Sequence, residues 1–186
     1  MCVSDDRVQR MSSVYYFGEI IGCLIVARIP DLMGRKWPFA VCLGLQLPCF
    51  IVVYLSRSLP LTTGVGFIMG ILHIGIANGG YINVCEYVQG RYKNIVCTMM
   101  LVFDMLTVIA TGIYWKLISK NSSGLLLFGI ACNALGLLGV LVVPESPEYL
   151  YCFYRFRECR EVIFKIAKWN RSPFYKLIVA KNTLIE

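Results

Sequence analysis

Mapped by where its charges fall, the chain separates into long apolar blocks joined by short polar connections. With Asp, Glu, Lys and Arg counted as interruptions, residues 37–56, 58–85 and 121–144 carry no charge. Two further blocks appear when one acid is admitted in each: residues 11–27 around Glu19 and 94–115 around Asp104. Each block is close to the roughly 20 residues needed to cross a hydrocarbon core as a helix. Within a bilayer a helix satisfies all its own backbone polar groups, which other open structures cannot do. A water-soluble core would instead alternate apolar and polar positions at helix or strand period. The pattern predicts an all-α membrane protein with five spans, over about 12–30, 37–56, 61–85, 94–115 and 121–144.

The connections are short enough to force antiparallel neighbours. Pro30 and Asp31 mark the end of span one, and Asp31 to Lys36 turns directly into span two. Span three is rich in glycine, with Gly64, Gly66, Gly70, Gly75, Gly79 and Gly80. Gly18 and Gly22, like Gly66 and Gly70, have the small-xxx-small spacing that lets membrane helices approach closely, read here as packing within the bundle. After Pro144 the character changes. Phe153, Phe156, Cys159, Ile163, Ile166, Ala167 and Asn170 recur at spacings of three and four, with Arg155, Arg157, Arg160, Glu161, Lys165 and Lys168 between them. That is an amphipathic helix facing water on one side, and its apolar face could lie on a bilayer surface or under the bundle.

Composition sharpens this picture. The 186 residues are 58% hydrophobic and 16% charged, against roughly 45–50% and about 25% in soluble domains. The net charge of +7 could suggest nucleic acid, but its distribution argues for topology. Thirteen of the eighteen basic residues lie after spans one and three or beyond Pro144. By the positive-inside rule those segments are cytoplasmic. Residues 1–11 then form an extracellular segment, and 145–186 a cytoplasmic one. The first apolar block follows Asp5, Asp6, Arg7 and Arg10 and has no cleavage site after it, so no cleaved signal peptide is expected.

Ionisable groups inside spans are functional candidates, because an ionised carboxylate there costs at least about 2.5 kcal/mol unless paired or hydrated. Asp104 sits near the middle of span four and could line a cavity. Glu19 is placed nearer the outside, within reach of the interface by snorkelling. His73, the single histidine, reads as a helix-packing residue ahead of a proton relay. Asn78 and Asn83 could contact a solute or bond between helices. The nine cysteines fall largely in or beside spans and read as small buried hydrophobes, not disulfides or metal ligands. Cys2 is a candidate for an extracellular bridge. There is no metal-ligand cluster, no phosphate-binding Gly-rich loop with Lys and no nucleophile-base set, so neither an enzyme nor a cofactor is expected.

Three cytoplasmic segments carry a family resemblance. Asp31-Leu32-Met33-Gly34-Arg35-Lys36 resembles the major facilitator signature Gly-x-x-x-Asp-Arg-x-Gly-Arg-Arg/Lys between the second and third helices. Val143-Pro144-Glu145-Ser146-Pro147-Glu148-Tyr149-Leu150 is similar to the Pro-Glu-Ser-Pro-Arg-Trp-Leu motif after the sixth helix of sugar porters and organic ion transporters. Glu86 followed by Arg91 and Lys93 resembles the loop after the fourth helix. Cys2 before Tyr15-Tyr16-Phe17-Gly18, and the run from Arg155-Phe156 to Trp169-Asn170, lie closer to the organic cation and anion branch than to sugar porters. The sequence departs from the pattern at Ala27, Leu32, Lys93 and Glu148.

The resemblance implies that the five spans match helices two to six of a twelve-helix transporter, as part of a six-helix half bundle. It implies an integral, multi-pass protein, with the plasma membrane the expected site. It also implies that Asp31, Arg35, Glu86, Lys93 and Glu145 form ion pairs holding the inner side closed, and that a small solute is carried by alternating access. The alternatives are a truncated relative that binds or regulates a full-length transporter, and a sugar porter. The expected partners are therefore lipid, a small-molecule solute and the missing half or a full-length relative, with no nucleic acid.

The topology makes a direct prediction about the sequons at Asn121 and Asn170. The first hugs the membrane and the second faces the cytoplasm, so neither is glycosylated. Endoglycosidase treatment of protein from a eukaryotic host is expected to leave gel mobility unchanged. A mobility shift abolished by Asn121→Gln would contradict that.

Overall fold

The computed structural model describes residues 5–56, 58–88, 90–118 and 121–170, and these form helices with no strand among them. Five of the helices are long and apolar enough to cross a membrane, as the charge pattern requires. The first span begins earlier than its apolar block: α1 runs Asp5–Ile25, so charged Asp6, Arg7 and Arg10 belong to the helix. It continues through a 3₁₀ turn, Val26–Arg28, into the short α2, Ile29–Met33. Pro30 causes the change of pitch. It cannot donate to the Val26 carbonyl four residues back, and the Ile29 N–H takes that acceptor instead. The chain then turns at Gly34, whose φ of 99° lies in a region open to glycine and strained for other residues.

The remaining spans are α3 Lys36–Leu55, α4 Leu59–Tyr87, α5 Arg91–Ile113 with a π-helical extension Tyr114–Ile118, and α6 Ser123–Val142. Residues up to Val143 form one compact unit and those from Pro144 a second. In the first unit α4 is central and packs against α1 and α3, while α6 packs on the far side of α3. Its small core is Val26, Cys42 and Leu72, flanked by Cys49, Ile71 and Ile76.

Glycine makes the α1–α4 contact possible. A Cβ on Gly22 would stand 2.8 Å from the Ile71 carbonyl oxygen and 3.1 Å from its Cα. One on Gly18 would strike the Phe67 carbonyl, and one on Gly70 the Tyr15 carbonyl. The contacts advance together along both helices, from Tyr15–Gly70 to Gly22–Ile71 and Val26–Gly75, so α1 and α4 run parallel. Gly66, by contrast, has nothing within 4 Å. Three of the four glycines in the small-xxx-small pairs thus pack within the chain.

A polar pair also holds α3 to α6. Buried Asn133 donates from Nδ2 to Oε1 of buried Gln46 at 3.4 Å. All eight cysteines among the described residues are free thiols, and Cys42, Cys97 and Cys159 are buried; Cys2 lies outside the described residues. The Asn121 side-chain oxygen is engaged by Ser123, accepting from its N–H at 3.1 Å and its hydroxyl at 2.8 Å. Residues 171 and 172 of the second sequon lie outside the described residues.

In the second unit the amphipathic helix of the sequence reading is α8, Phe156–Trp169, and a short helix not expected from the sequence, α7, Pro147–Cys152, precedes it. Tyr154 adopts a positive φ of 59°, and the Arg155 N–H closes onto the Leu150 carbonyl at 2.9 Å. This is a left-handed helix end formed without glycine. Phe153 therefore stands outside the helix that periodicity assigned it to. On α8, Arg155 pairs with Glu158 and Arg157 with Glu161, and Cys159 donates to the Pro147 carbonyl at 3.4 Å.

The glycine seam is testable by comparing Gly22→Ala with Gly66→Ala. At Gly22 the obstacle is backbone, and overpacking of this kind costs about 1–3 kcal/mol. At Gly66 the space is open, and the better helix propensity of alanine makes the change neutral or slightly stabilising. Thermal unfolding in detergent, followed with a dye that reacts with newly exposed thiols, is expected to show a lowered midpoint for the first variant only.

Candidate functional site

The turn between α2 and α3 builds a charge cluster around Arg35. Gly34, buried at the bend, ends α2 so that Arg35 begins the next helix facing the last turn of α4. There Arg35 Nε donates to Glu86 Oε1 at 2.8 Å, and its Nη1 pairs with Asp31 one helical turn earlier. Asn83, three residues before Glu86, donates from Nδ2 to the Arg35 carbonyl at 3.2 Å. Burial alone pulls the guanidinium pKa down, but the hydrogen bonds and charges of Asp31 and Glu86 outweigh it and raise the value. The two acids differ in weight. Asp31 is 65% exposed and Glu86 10%, so the first pair is of the exposed kind worth about 0–1 kcal/mol. The second is largely desolvated, and breaking it leaves a buried charge without its partner.

The other predicted members of this cytoplasmic group are placed differently. Lys36 reaches across to α6, donating from Nζ to the Leu141 carbonyl at 3.1 Å; a cation there suits the negative end of the helix dipole. Lys93 is exposed and makes no ion pair among the described residues. Arg91 opens α5, but its side chain lies outside the described residues. Pro144, Glu145, Ser146 and Pro147 belong to the second unit. There fully buried Ser146 caps α7, its hydroxyl accepting from the Tyr149 N–H at 3.3 Å, with Pro147 at the first helical position. Glu145 Oε1 accepts from the Ser146 N–H at 3.3 Å. The Ser-Pro of this motif is thus a helix start, with a hydroxyl cap and a residue that needs no donor.

Inside the bundle the structure joins two residues that sequence treated separately. His73 Nδ1 and Glu19 Oε1 are 2.8 Å apart, across the glycine seam between α4 and α1. Tyr15, one turn before Glu19, sets its phenol beside the carboxylate, with its ring centroid 6.2 Å from that of His73. Because α1 starts at Asp5, Glu19 is at the middle of its span and not near the outside. The snorkelling reading is therefore replaced by an ion-pairing or hydrogen-bonding role. His73 does pack between helices, but on a carboxylate.

Asp104, Asn78 and Asn83 do not join this pair. Asp104 is exposed midway along α5 and makes no side-chain hydrogen bond or ion pair among the described residues. Asn78 is exposed on α4, and Asn83 belongs to the Arg35 cluster. Sequence reasoning missed Tyr15, Gln46 and Asn133. The two amides lie in charge-free runs, and a search for polar uncharged residues in those runs would have found them.

Comparison with known proteins places this arrangement. Residues 3–176 match the family described as sugar (and other) transporter. Among curated relatives, solute carrier family 22 member 15 of Xenopus tropicalis is 24% identical over 171 residues, covering 89% of this chain and 31% of its own length. Organic cation/carnitine transporter 2 of Rattus norvegicus is 23% identical over 193 residues, covering 100% of this chain and 32% of its own. Solute carrier family 22 member 4 of Mus musculus is 25% identical over 177 residues, covering 91% and 31%. The chain spans about a third of the length of these relatives. With the family matched over nearly every residue and five helices able to span a bilayer, the chain belongs to the sugar (and other) transporter family of the major facilitator superfamily, on its organic cation transporter-like side.

Proposed function

We propose that this chain serves in moving a small organic ion across the plasma membrane by alternating access, with the Arg35 cluster as its inner closure. The observation that carries the reading is Arg35 held between Asp31 and Glu86 on a loop that matches the family signature. The pair ties the turn between the first two spans to the end of α4, so the three helices stay closed together while it holds. Pairs in a partly dry setting can break together when helix groups rock. The names of the relatives, organic cation/carnitine transporter among them, support an organic ion over a sugar. The basic asymmetry supports a cytoplasmic position for this closure, with the N-terminus outside.

A second reading has its own observation. Asp104 stands midway along α5, on a helix left exposed along most of its length, and a carboxylate at that depth calls for a partner or a wet cavity. This favours assembly with another half or with a full-length relative, in which the chain regulates and does not itself transport. Uptake of a radiolabelled organic cation into vesicles holding the chain, above that of protein-free vesicles, supports the first reading. Its absence, together with specific co-purification with a full-length relative, supports the second.

The closure makes a sharper prediction on the chain itself. Cys85 adjoins Glu86 on α4, and its Sγ is 2.6 Å from that of Cys97 on α5. Arg35→Ala is expected to raise, several-fold, the rate at which this thiol pair reacts with a membrane-impermeant maleimide from the cytoplasmic side. Arg35→Lys keeps the charge without the two-sided geometry and should fall between. An unchanged labelling rate in Arg35→Ala would count against the closure.

A further inference from the structure

We infer that Glu19 and His73 form a proton-binding site at the centre of the bundle, fed along a hydroxyl-lined groove between α1 and α4. Depth is the first argument. His73 lies fourteen residues from both Leu59 and Tyr87, the ends of α4. Glu19 lies thirteen residues after Asp6 and fourteen before Met33, the ends of its span. Two ionisable groups from different helices therefore meet at the middle of both, where an unneutralised charge is most costly.

The contact itself requires a proton. At 2.8 Å two bare acceptors would repel, so one hydrogen lies between Nδ1 and Oε1. With that single proton the pair is a neutral imidazole beside a carboxylate and carries one net negative charge. A hydronium ion that gives its proton to Nε2 becomes water, leaves the Nδ1–H···Oε1 bond in place, and turns the pair into a net-neutral imidazolium and carboxylate. In a low-dielectric setting that uptake removes an uncompensated charge, which is what makes the pair a proton site and not merely a helix contact.

The surroundings are otherwise simple. Tyr15 of α1 is the titratable group beside Glu19, with Tyr16 stacked edge-on against it. From α3, the thiols of Cys42 and Cys49 meet α4 around Gly75 and Leu72. Among the described residues no lysine, arginine or other acid is hydrogen-bonded or ion-paired with either member. A route is also present. The N-terminal halves of α1 and α4 enclose an open groove lined by Ser12, Tyr15, Tyr16, Thr62, Thr63 and Gly66. Gly66, with no neighbour within 4 Å of a would-be Cβ, keeps it wide. Its Ser12, Thr62 and Thr63 hydroxyls donate to carbonyls one turn back in their own helices and leave their lone pairs to the groove, and Tyr15, whose phenol adjoins Glu19, lines it too. The open groove and the central pair are joined by one side chain.

Proton binding does not depend on solute movement; only its use, coupling a proton to a carried solute, rests on the proposed transport function. The test reads the proton directly. His73 is the sole histidine in the sequence, so imidazole ¹⁵N resonances of the chain, purified without a histidine tag and held in lipid nanodiscs, report this residue alone. Between mildly acid and mildly alkaline pH they are expected to move from the imidazolium to the neutral pattern. In Glu19→Gln the step is expected to be displaced or lost, since the partner at 2.8 Å is changed. Tyr15→Phe keeps the fold and the pair, and should slow exchange of the imidazole protons with water several-fold. Resonances that stay fixed across that range in the native chain would overturn the inference, as would a step that Glu19→Gln leaves in place. The native titration stands as a test even if Glu19→Gln does not fold. Uptake without titration would remove the proton site and leave the transport function standing, and titration without uptake would do the reverse.

Discussion

The close approach of α1 to α4 is the constraint on which the rest of the first unit depends. Lipid offers no hydrophobic drive for helices to associate, so the contact has to come from packing and polar pairs at short range. Gly18, Gly22 and Gly70 let backbone meet backbone, and this sets the register of the two helices. That register brings Glu19 level with His73. It also fixes α4 as the central helix, with Gly75 beneath Cys42 and Gly79 and Gly80 beneath the Phe39 ring of α3. The same helix that carries His73 at its middle delivers Asn83 and Glu86 to Arg35 at its end. One rigid element thus carries both polar sites, with His73 thirteen residues before Glu86.

The two sites solve the problem of buried charge in different ways. Arg35 lies between a wet acid and a dry one. Asp31 adds charge at little desolvation cost, while Glu86 binds strongly because water is excluded from it. Such an arrangement is firm when closed and is weakened once the turn moves away from α4 and lets water in. Among the described residues the Glu19–His73 pair has no second acid and no arginine bonded to it. Its balance is set by whether a proton is present, and the Tyr15 phenol tempers the carboxylate without neutralising it. In the proposed reading one site responds to helix separation and the other to proton concentration, and α4 is common to both.

Five helices of membrane length were legible because charge is so costly in a bilayer that its absence over twenty residues has few other causes. The turn from Asp31 to Lys36 was legible too, with Gly34 in a loop signature, whereas Ser146-Pro147 stood only as part of a family motif and its role as a helix start came from the structure. Partner choice was not. Glu19 and His73 are 54 positions apart, and each helix taken alone shows one acid or one imidazole with no sign of which face it presents. Counting charges puts Glu19 too shallow because it ends the helix at Asp6, Arg7 and Arg10, whereas charged first turns can extend beyond the hydrocarbon. Pro30 was read as a stop, but a 3₁₀ turn rescues the Val26 carbonyl and the helix resumes. The break at Tyr154 escaped because a tyrosine in the left-handed region leaves no signature of the kind glycine does. Gln46 and Asn133 escaped because counting charges alone passes over amides.

The polar groups left over share one property. Among the described residues, the buried side-chain atoms without a hydrogen-bond partner are Asn83 Oδ1, Glu86 Oε2 and Asn133 Oδ1, and all three are acceptors. Asp104, exposed midway along α5, is a fourth group that can only accept when ionised. The donors beside these acceptors are engaged elsewhere: Arg35 is shared between two acids, Lys36 donates to the Leu141 carbonyl, and the Asn83 and Asn133 amides donate within the bundle. An acceptor left dry costs about 1–3 kcal/mol, and more if it is charged. Such a surplus is stable only where water or an added donor reaches it. A surface that covers these groups therefore has to bring water, N–H or O–H groups, or positive charge to the end of α4 and midway along α5. That requirement is far more selective than the apolar faces around it, which any lipid or helix could cover.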